Sequence, residues 1–189
     1  MATHVALLRG INVGGNNKVP MAELRTMVAE LGHTDVSTYI QSGNVLFTAP
    51  TDADEAALGR ALTEAVAARF GVKSPVVVLS REELAGIHAA NPFPAEPDPR
   101  RVHAVVLTEP PWPDLLTRLD AARAKAAQAG SDDEVVAVGR SLYLHTPGGF
   151  GRSVLAEMLM RYVTDRKTGA TGTARNLATM TKLLELCAG

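Results

Sequence analysis

The residues best suited to chemistry lie together near the start of the chain, in Leu8-Arg9-Gly10-Ile11-Asn12-Val13-Gly14-Gly15-Asn16-Asn17-Lys18. Three glycines, three asparagines and two cations in this run supply open backbone N–H groups, amide side chains and positive charge beside a helix start. That is the chemistry of anion capture. The named phosphate motifs do not apply. Gly10-x4-Gly15 is followed by Asn16 where a P-loop requires lysine and then serine or threonine, and Gly14-Gly15 does not fit G-x-G-x-x-G. The run predicts a generic anion- or amide-reading loop and excludes a nucleotide-hydrolysing engine.

Three further clusters carry suitable groups. Gln41-Ser42-Gly43-Asn44 has the glycine and asparagine of a tight hairpin. Gly148-Gly149-Phe150-Gly151-Arg152-Ser153 is a glycine run entering a helix, with Ser153 as its N-cap. Thr173-Ala174-Arg175-Asn176 reads as the opening of the last helix, on which Arg175, Thr179 and Lys182 share one polar face opposite Met180, Leu183, Leu184 and Cys187. The expected ligand-binding set is therefore Arg9, Asn12, Gly14, Gly15, Asn17, Lys18, Gln41, Ser42, Asn44, Arg152, Ser153, Arg175 and Asn176. Arg9 and Lys18 bring charge, Asn12, Gln41, Ser42 and Asn44 bring oriented hydrogen bonds, and Gly14-Gly15 lets backbone N–H groups approach.

Other chemistries find less. His103 and His145 fall on neighbouring strands, so their rings could be close, but no third ligand has recognisable spacing and no metal site is expected. Ser42 has no nearby histidine and no G-x-S-x-G elbow. Asp132-Asp133-Glu134 reads as a solvated turn. No catalytic residue is nominated and no cofactor is implied.

The elements that must position these groups follow from periodicity and turn signals. Strand one is His4 to Leu8. A helix starts at Pro20, buries Met21, Leu24, Met27, Val28 and Leu31, and stops before Gly32. Ser37 to Ile40 and Val45 to Phe47 form a hairpin; a helix N-capped by Asp52 runs to Gly71 through Leu58, Ala61, Leu62, Ala65 and Val66; Pro75 to Leu79 is the fourth strand. Ser80-Arg81-Glu82-Glu83 then opens a short helix as a capping box. Prolines 92, 94, 97 and 99 make 91–101 a stiff linker between a subdomain at 1–90 and another at 102–189.

The second half repeats the first: Val102 to Leu107 is a strand, Trp112 to Gln128 a helix, and Val135 to Val138 with Leu142 to His145 a hairpin. Val5 onto His103 and Val45 onto Tyr143 both require a shift of 98 positions (103 − 5 and 143 − 45), which suggests an internal duplication. The expected fold is α+β, with two ferredoxin-like βαββαβ subdomains. In the second, the last strand is replaced by closing helices over Ser153–Val163 and Thr173–Cys187. In that topology the end of strand one and the first hairpin turn lie on one sheet edge, so Arg9 to Lys18 and Gln41 to Asn44 should converge. The second copy has Leu107, Gly139 and Leu142 where the first has Arg9, Gln41 and Asn44, so the fold itself does not require the polar set.

Composition bounds the partners. The 189 residues are 46% hydrophobic, enough for an adequate core, and 19 Lys plus Arg against 20 Asp plus Glu leave a net charge of −1. No overall excess draws nucleic acid or an anionic membrane, so any basic site must be local. Aromatics are 4%, and the two central strands offer only Phe47 for base stacking, which argues against an RNA-recognition module. The single cysteine, Cys187, forms no internal disulfide and reads as a core residue. With no basic leader and no apolar run near the roughly 20 residues of a membrane span, a cytoplasmic location is expected.

Val5-Ala6-Leu7-Leu8-Arg9-Gly10-Ile11-Asn12-Val13-Gly14-Gly15, Met21-Ala22-Glu23-Leu24-Arg25 and Thr38-Tyr39-Ile40-Gln41-Ser42-Gly43-Asn44-Val45 closely resemble the bacterial family called domain of unknown function 1697. Asn91-Pro92-Phe93-Pro94, Tyr143-Leu144-His145, Gly149-Phe150-Gly151-Arg152-Ser153 and Thr173-Ala174-Arg175-Asn176 with Thr181-Lys182-Leu183 are similar to its later signatures, so the resemblance spans essentially the whole chain. It implies an α+β protein with ferredoxin-like elements and no established activity. The family often carries lysine in place of Asn16 and Val154 and tryptophan in place of Leu177, and losing these weakens a polyanion-binding or base-stacking role here. The leading expectation is a cytosolic protein that binds a small anionic ligand, phosphate-bearing or nucleotide-like. The alternatives are a noncatalytic nucleic-acid or protein interaction module, and an enzyme acting on a phosphorylated small molecule. The sequence does not specify an oligomeric state.

Overall fold

The computed structural model describes residues 1–50 and 52–189. Among the described residues, eight strands form two four-stranded antiparallel sheets accompanied by six α-helices, an α+β architecture. The elements run β1 (His4–Leu8), α1 (Met21–Glu30), β2 (Thr34–Tyr39), β3 (Asn44–Thr48), α2 (Glu55–Phe70), β4 (Val76–Ser80) and α3 (Arg81–Ala89). There follow β5 (Val102–Leu107), α4 (Pro113–Gln128), β6 (Glu134–Val138), β7 (Ser141–His145), a 3-10 turn at Phe150–Arg152, α5 (Val154–Tyr162), β8 (Gly172–Asn176) and α6 (Leu177–Ala188). The chain divides into two compact units, Met1–Gly86 with Lys182–Gly189, and Ile87–Thr181. The proline-rich residues 91–101 are part of the second unit.

In the first unit the strand order is β2-β3-β1-β4. Alternation along the strands sends Ala6, Leu8, Val45, Phe47, Val76 and Val78 to one face, where Leu24, Met27 and Val28 of α1 and Leu62 and Val66 of α2 cover them. The opposite residues Val5, Leu7, Leu46, Val77 and Leu79 are buried as well, so β1 after His4 is an unbroken apolar run. Asp54, rather than the expected Asp52, caps α2, accepting from the Ala56 N–H at 2.9 Å, and Gly71 closes the helix in the left-handed region at φ 66°.

In the second unit the order is β6-β7-β5-β8. Leu115, Leu119, Ala122 and Ala126 of α4 and Leu155, Ala156 and Leu159 of α5 cover Val105, Leu107, Leu142 and Leu144. Strand β8 corrects the expectation that a helix replaces the last strand. Residues 172–176 pair antiparallel with β5, Val106 opposite Thr173 and His103 opposite Asn176, and helix α6 begins only at Leu177, where the Asn176 carboxamide oxygen accepts from the Thr179 N–H at 2.8 Å. The helical spacing of Arg175, Thr179 and Lys182 is thus accidental, because Arg175 lies in a strand. Gly172 suits that strand, since a Cβ there would come within 2.5 Å of the Leu107 side chain.

The two sheets share one register. His4 lies opposite Phe47 and Val5 opposite Leu46, while Val102 lies opposite His145 and His103 opposite Leu144; each pair is displaced by 98 positions (102 − 4 and 145 − 47). Ser37 opposite Leu46 and Val135 opposite Leu144 repeat the shift (135 − 37 and 144 − 46).

Gly59 gives a test of helix-on-sheet packing. It lies inside α2, where alanine usually adds stability by removing backbone freedom. A Cβ at Gly59, however, would lie 2.9 Å from the carbonyl oxygen of Val76 in β4. Gly59→Ala should therefore destabilise the protein by about 1–3 kcal/mol, read as a lower urea midpoint; a raised midpoint would show that α2 does not sit this close to β4.

Candidate functional site

The loop after β1 is a small hairpin. Asn12 N–H donates to the Asn17 carbonyl at 3.0 Å, Asn16 N–H to the Val13 carbonyl at 3.0 Å, and Gly14 and Gly15 form the turn at φ 56° and 81°. Two consecutive positive φ values define a mirror-image turn that glycine adopts without strain. The Asn17 carboxamide closes the base by donating to the Gly10 carbonyl at 2.9 Å.

Asn12 joins this loop to the β2–β3 turn. Its Nδ2 donates to the Val19 carbonyl at 3.0 Å and to the Gln41 carbonyl at 2.9 Å, while its Oδ1 accepts from the Val19 N–H at 2.9 Å. Leu8 N–H donates to the Gly43 carbonyl at 2.8 Å, and a Cβ on Gly43 would strike Ile11 at 2.7 Å and Leu8 at 2.8 Å. Loop 9–18 and turn 40–43 are therefore one continuous surface. The carboxamide of fully buried Asn44 supports the turn from beneath, donating to the Tyr39 carbonyl at 3.0 Å and Ser42 Oγ at 3.1 Å.

Of the residues gathered here, Asn12, Asn17 and Asn44 turn their amides onto the protein's own backbone and build the surface. Gly14, Gly15, Lys18, Gln41 and Ser42 are exposed on it. Arg9 is half-buried, and burial lowers its guanidinium pKa. Buried Ser74, which carried no sequence signal because it lies 65 residues away, fixes the Arg9 backbone: its Oγ donates to the Arg9 carbonyl at 2.7 Å and accepts from the Arg9 N–H at 3.1 Å. Ile40 is also unusual, a β-branched residue at φ 52° and nearly half exposed at the tip of the turn.

In the second unit, Ser153 caps α5 as expected, accepting from the Ala156 N–H at 2.8 Å and donating to Asp133 Oδ2 at 2.7 Å. Arg152 is exposed and lines two shallow grooves, of about 230 Å³ with Asp132, Asp133 and Gly149, and of about 410 Å³ with Phe150, Met160 and Arg161. Arg175 is buried on β8, where its Nη1 donates to Thr173 Oγ1 at 3.0 Å and the Ala174 carbonyl at 2.8 Å, and burial pulls its pKa down to about 10. Its neighbour Ala174 packs with the helix-covered core, so alternation sends Arg175 to the opposite face from α5 and Arg152. The two arginines do not share a cleft.

The histidines separate for a similar reason. His103 lies opposite Leu144 and not opposite His145, and a one-residue offset places the rings on opposite faces. The His103 ring lies tilted against Phe150 with ring centroids 4.2 Å apart, its Nδ1 buried without a hydrogen-bond partner among the described residues, and burial lowers its pKa to about 4. His145 meets Glu96 Oε2 through Nε2 at 2.7 Å, and its ring lies tilted 5.1 Å from that of Phe93. The Asp98 N–H and then His145 hold the Glu96 carboxyl below its usual range. No group of three or more His, Cys, Asp or Glu among the described residues is arranged to hold a metal ion. Cys187 is buried and free. No helix of the described residues is long and apolar enough to cross a membrane.

Comparison with known proteins adds family and fold. Residues 1–143 match the family described as "Protein of unknown function (DUF1697)". None of the curated proteins matches the chain. A solved structure, "The structure of conserved bacterial protein SP0830 from Streptococcus pneumoniae", is similar over 98% of both chains at 25% identity, with a TM-score of 0.68.

Asn12→Ala and Asn12→Gly both remove the three side-chain hydrogen bonds and should each cost about 2 kcal/mol, with faster amide exchange at Val19. Were positive φ the only constraint at this position, the glycine variant would be neutral. His103 gives a pH dependence. Its folded pKa of about 4 lies below the ordinary 6.5, so the fold holds it neutral while the unfolded chain takes up a proton. This contribution is complete above pH 6.5 and is lost as the pH falls toward 4, by about 3 kcal/mol at most. His103→Leu should flatten the stability profile across that window; an unchanged slope in urea titrations would refute the assignment.

Proposed function

The chain belongs to the DUF1697 family of unknown function, and from that premise we propose that the edge formed by loop 9–18 and turn 40–43 binds a small anion, a phosphate-bearing or nucleotide-like ligand. The observation that carries the proposal is the Asn12 bridge to Val19 and Gln41, which makes the two polar segments one preformed surface. Preformed groups bind at a lower entropic cost than groups ordered by the ligand. Lys18 supplies an exposed charge and Arg9 a partly desolvated one, whose attraction for an anion is stronger than in bulk water. Gln41 and Ser42 supply directional hydrogen bonds, and the Gly14-Gly15 tip admits close approach of the backbone. Arg152 and Ser153 belong to the second unit and take no part in this reading, while Arg175 and Asn176 shape β8 and the start of α6.

We read the two sheets as an internal duplication of a ferredoxin-like βαββαβ unit, supported by the shared strand order and the common 98-position displacement (102 − 4) of their registers. The anion edge is then an elaboration of the first copy alone. A cytoplasmic location fits a phosphorylated metabolite as the ligand.

Thermal unfolding in the presence of pyrophosphate, ATP or inorganic phosphate tests this reading. At ligand concentrations about a hundredfold above Kd, the midpoint should rise by roughly 5–10 °C, and Arg9→Ala and Lys18→Ala should each lose most of the rise. No rise in the wild type, or an equal rise in both variants, refutes it. Retention on DNA or RNA that falls steeply with salt would favour nucleic acid as the source of the phosphate.

A further inference from the structure

The glycine run before α5 stands apart from the anion edge, and the charges gathered around it have a different balance. Two grooves flank Arg152, and Arg152 and Ser153 line both. The smaller, of about 230 Å³, has Asp132 and Asp133 on its wall beside Gly148 and Gly149, while the larger, of about 410 Å³, has Phe150, Val154 and Met160. All of these residues belong to the second unit.

In the smaller groove opposite charges are held apart. Asp133 is committed to the fold: its Oδ2 accepts from Ser153 Oγ at 2.7 Å, and the same Oγ accepts from the Ala156 N–H at 2.8 Å, which ties the acidic turn to the first turn of α5. Asp132 and Arg152 are exposed, and neither forms an ion pair among the described residues although both line this groove. A ligand whose only charge is a phosphate is drawn to the guanidinium and repelled by two carboxylates. A simple amine meets the reverse. Repulsion of this kind sets specificity as much as attraction does. A zwitterion satisfies both sides, and the planar fork of arginine matches a carboxylate in two parallel hydrogen bonds.

The larger groove supplies the apolar contact. Phe150 and Met160 pack against the core, and Val154 is 42% exposed, so an aliphatic or aromatic group laid against them leaves water. Glu157 and Arg161, also on its wall, pair with each other along α5 and add no net charge.

We propose that the second unit binds a free α-amino acid with an apolar side chain, its carboxylate on Arg152, its ammonium toward Asp132 and its side chain against Phe150, Val154 and Met160. These three groups branch from one carbon, as the acidic and apolar grooves branch from Arg152. The site shares no residue with the anion edge and does not depend on it.

Isothermal titration of the full chain with L-phenylalanine and L-leucine should show saturable binding with a Kd of about 1 mM or below. L-phenylalaninamide, which lacks the carboxylate, and hydrocinnamate, which lacks the ammonium, should each bind about tenfold or more weakly. L-alanine should be weakened to a similar degree because its methyl does not reach the apolar groove. Arg152→Ala and Asp132→Asn change exposed side chains, so both should keep the wild-type melting temperature while losing affinity about tenfold or more. Arg9→Ala should bind these amino acids as the wild type does, which separates the site from the anion edge. No saturable binding of either amino acid up to about 10 mM, equal binding of the amide or of hydrocinnamate, or undiminished binding by Arg152→Ala would each overturn the proposal.

Discussion

Strands β1 and β5 are buried on both faces, and this confines where the protein can do anything. Each residue of β1 is buried, and β5 has only His103 partly open. A polar side chain on such a strand carries a desolvation cost of order 1–3 kcal/mol unless it is hydrogen-bonded. His103 and Arg175 show what happens where polar groups enter the second sheet: both have pKa values pulled down by burial. Polar chemistry is therefore pushed to the strand ends and sheet edges. In the first unit it collects where β1 gives way to Arg9 and β2 turns toward β3.

At that edge the asparagines do not do what their type alone suggests. An amide in a glycine-rich loop is equally competent to read a ligand or to satisfy its own backbone, and Asn12, Asn17 and Asn44 do the latter. Asn12 and Asn17 also tolerate positive φ, at 54° and 50°, which other non-glycine residues rarely adopt. The amides fix the backbone, and Lys18, Gln41 and Ser42 are exposed on the surface it forms.

Most strand and helix positions were legible because apolar spacing in this chain is regular. His4–Leu8 and Val102–Leu107 agree with the sequence reading residue for residue. The convergence of loop 9–18 with the first turn followed from topology alone. What could not be read depends on registers and distant partners. Nothing near Arg9 announces Ser74, and the spacing of His103 and His145 does not reveal the one-residue offset that parts them. Residues 172–176 misled because Thr-Ala-Arg-Asn has no strong strand preference; pairing with β5 decided its state, as tertiary context often does.

The two hairpins show how one framework yields two different edges. In both sheets the ladder reaches equivalent pairs, Tyr39 with Asn44 and Ala137 with Leu142. In the second it continues to Val138 and Ser141 and closes with a two-residue turn, leaving β6 straight. In the first, Ile40 takes φ 52° instead, a conformation costing a β-branched residue about 1–3 kcal/mol. The ladder stops there, the turn opens to four residues, and the Gln41 carbonyl becomes available to Asn12. Since a regular turn is attainable on this framework, the strain at Ile40 is not imposed by the sheet. It belongs to the junction with loop 9–18, whose hydrogen bonds and Leu8–Gly43 contact offset it.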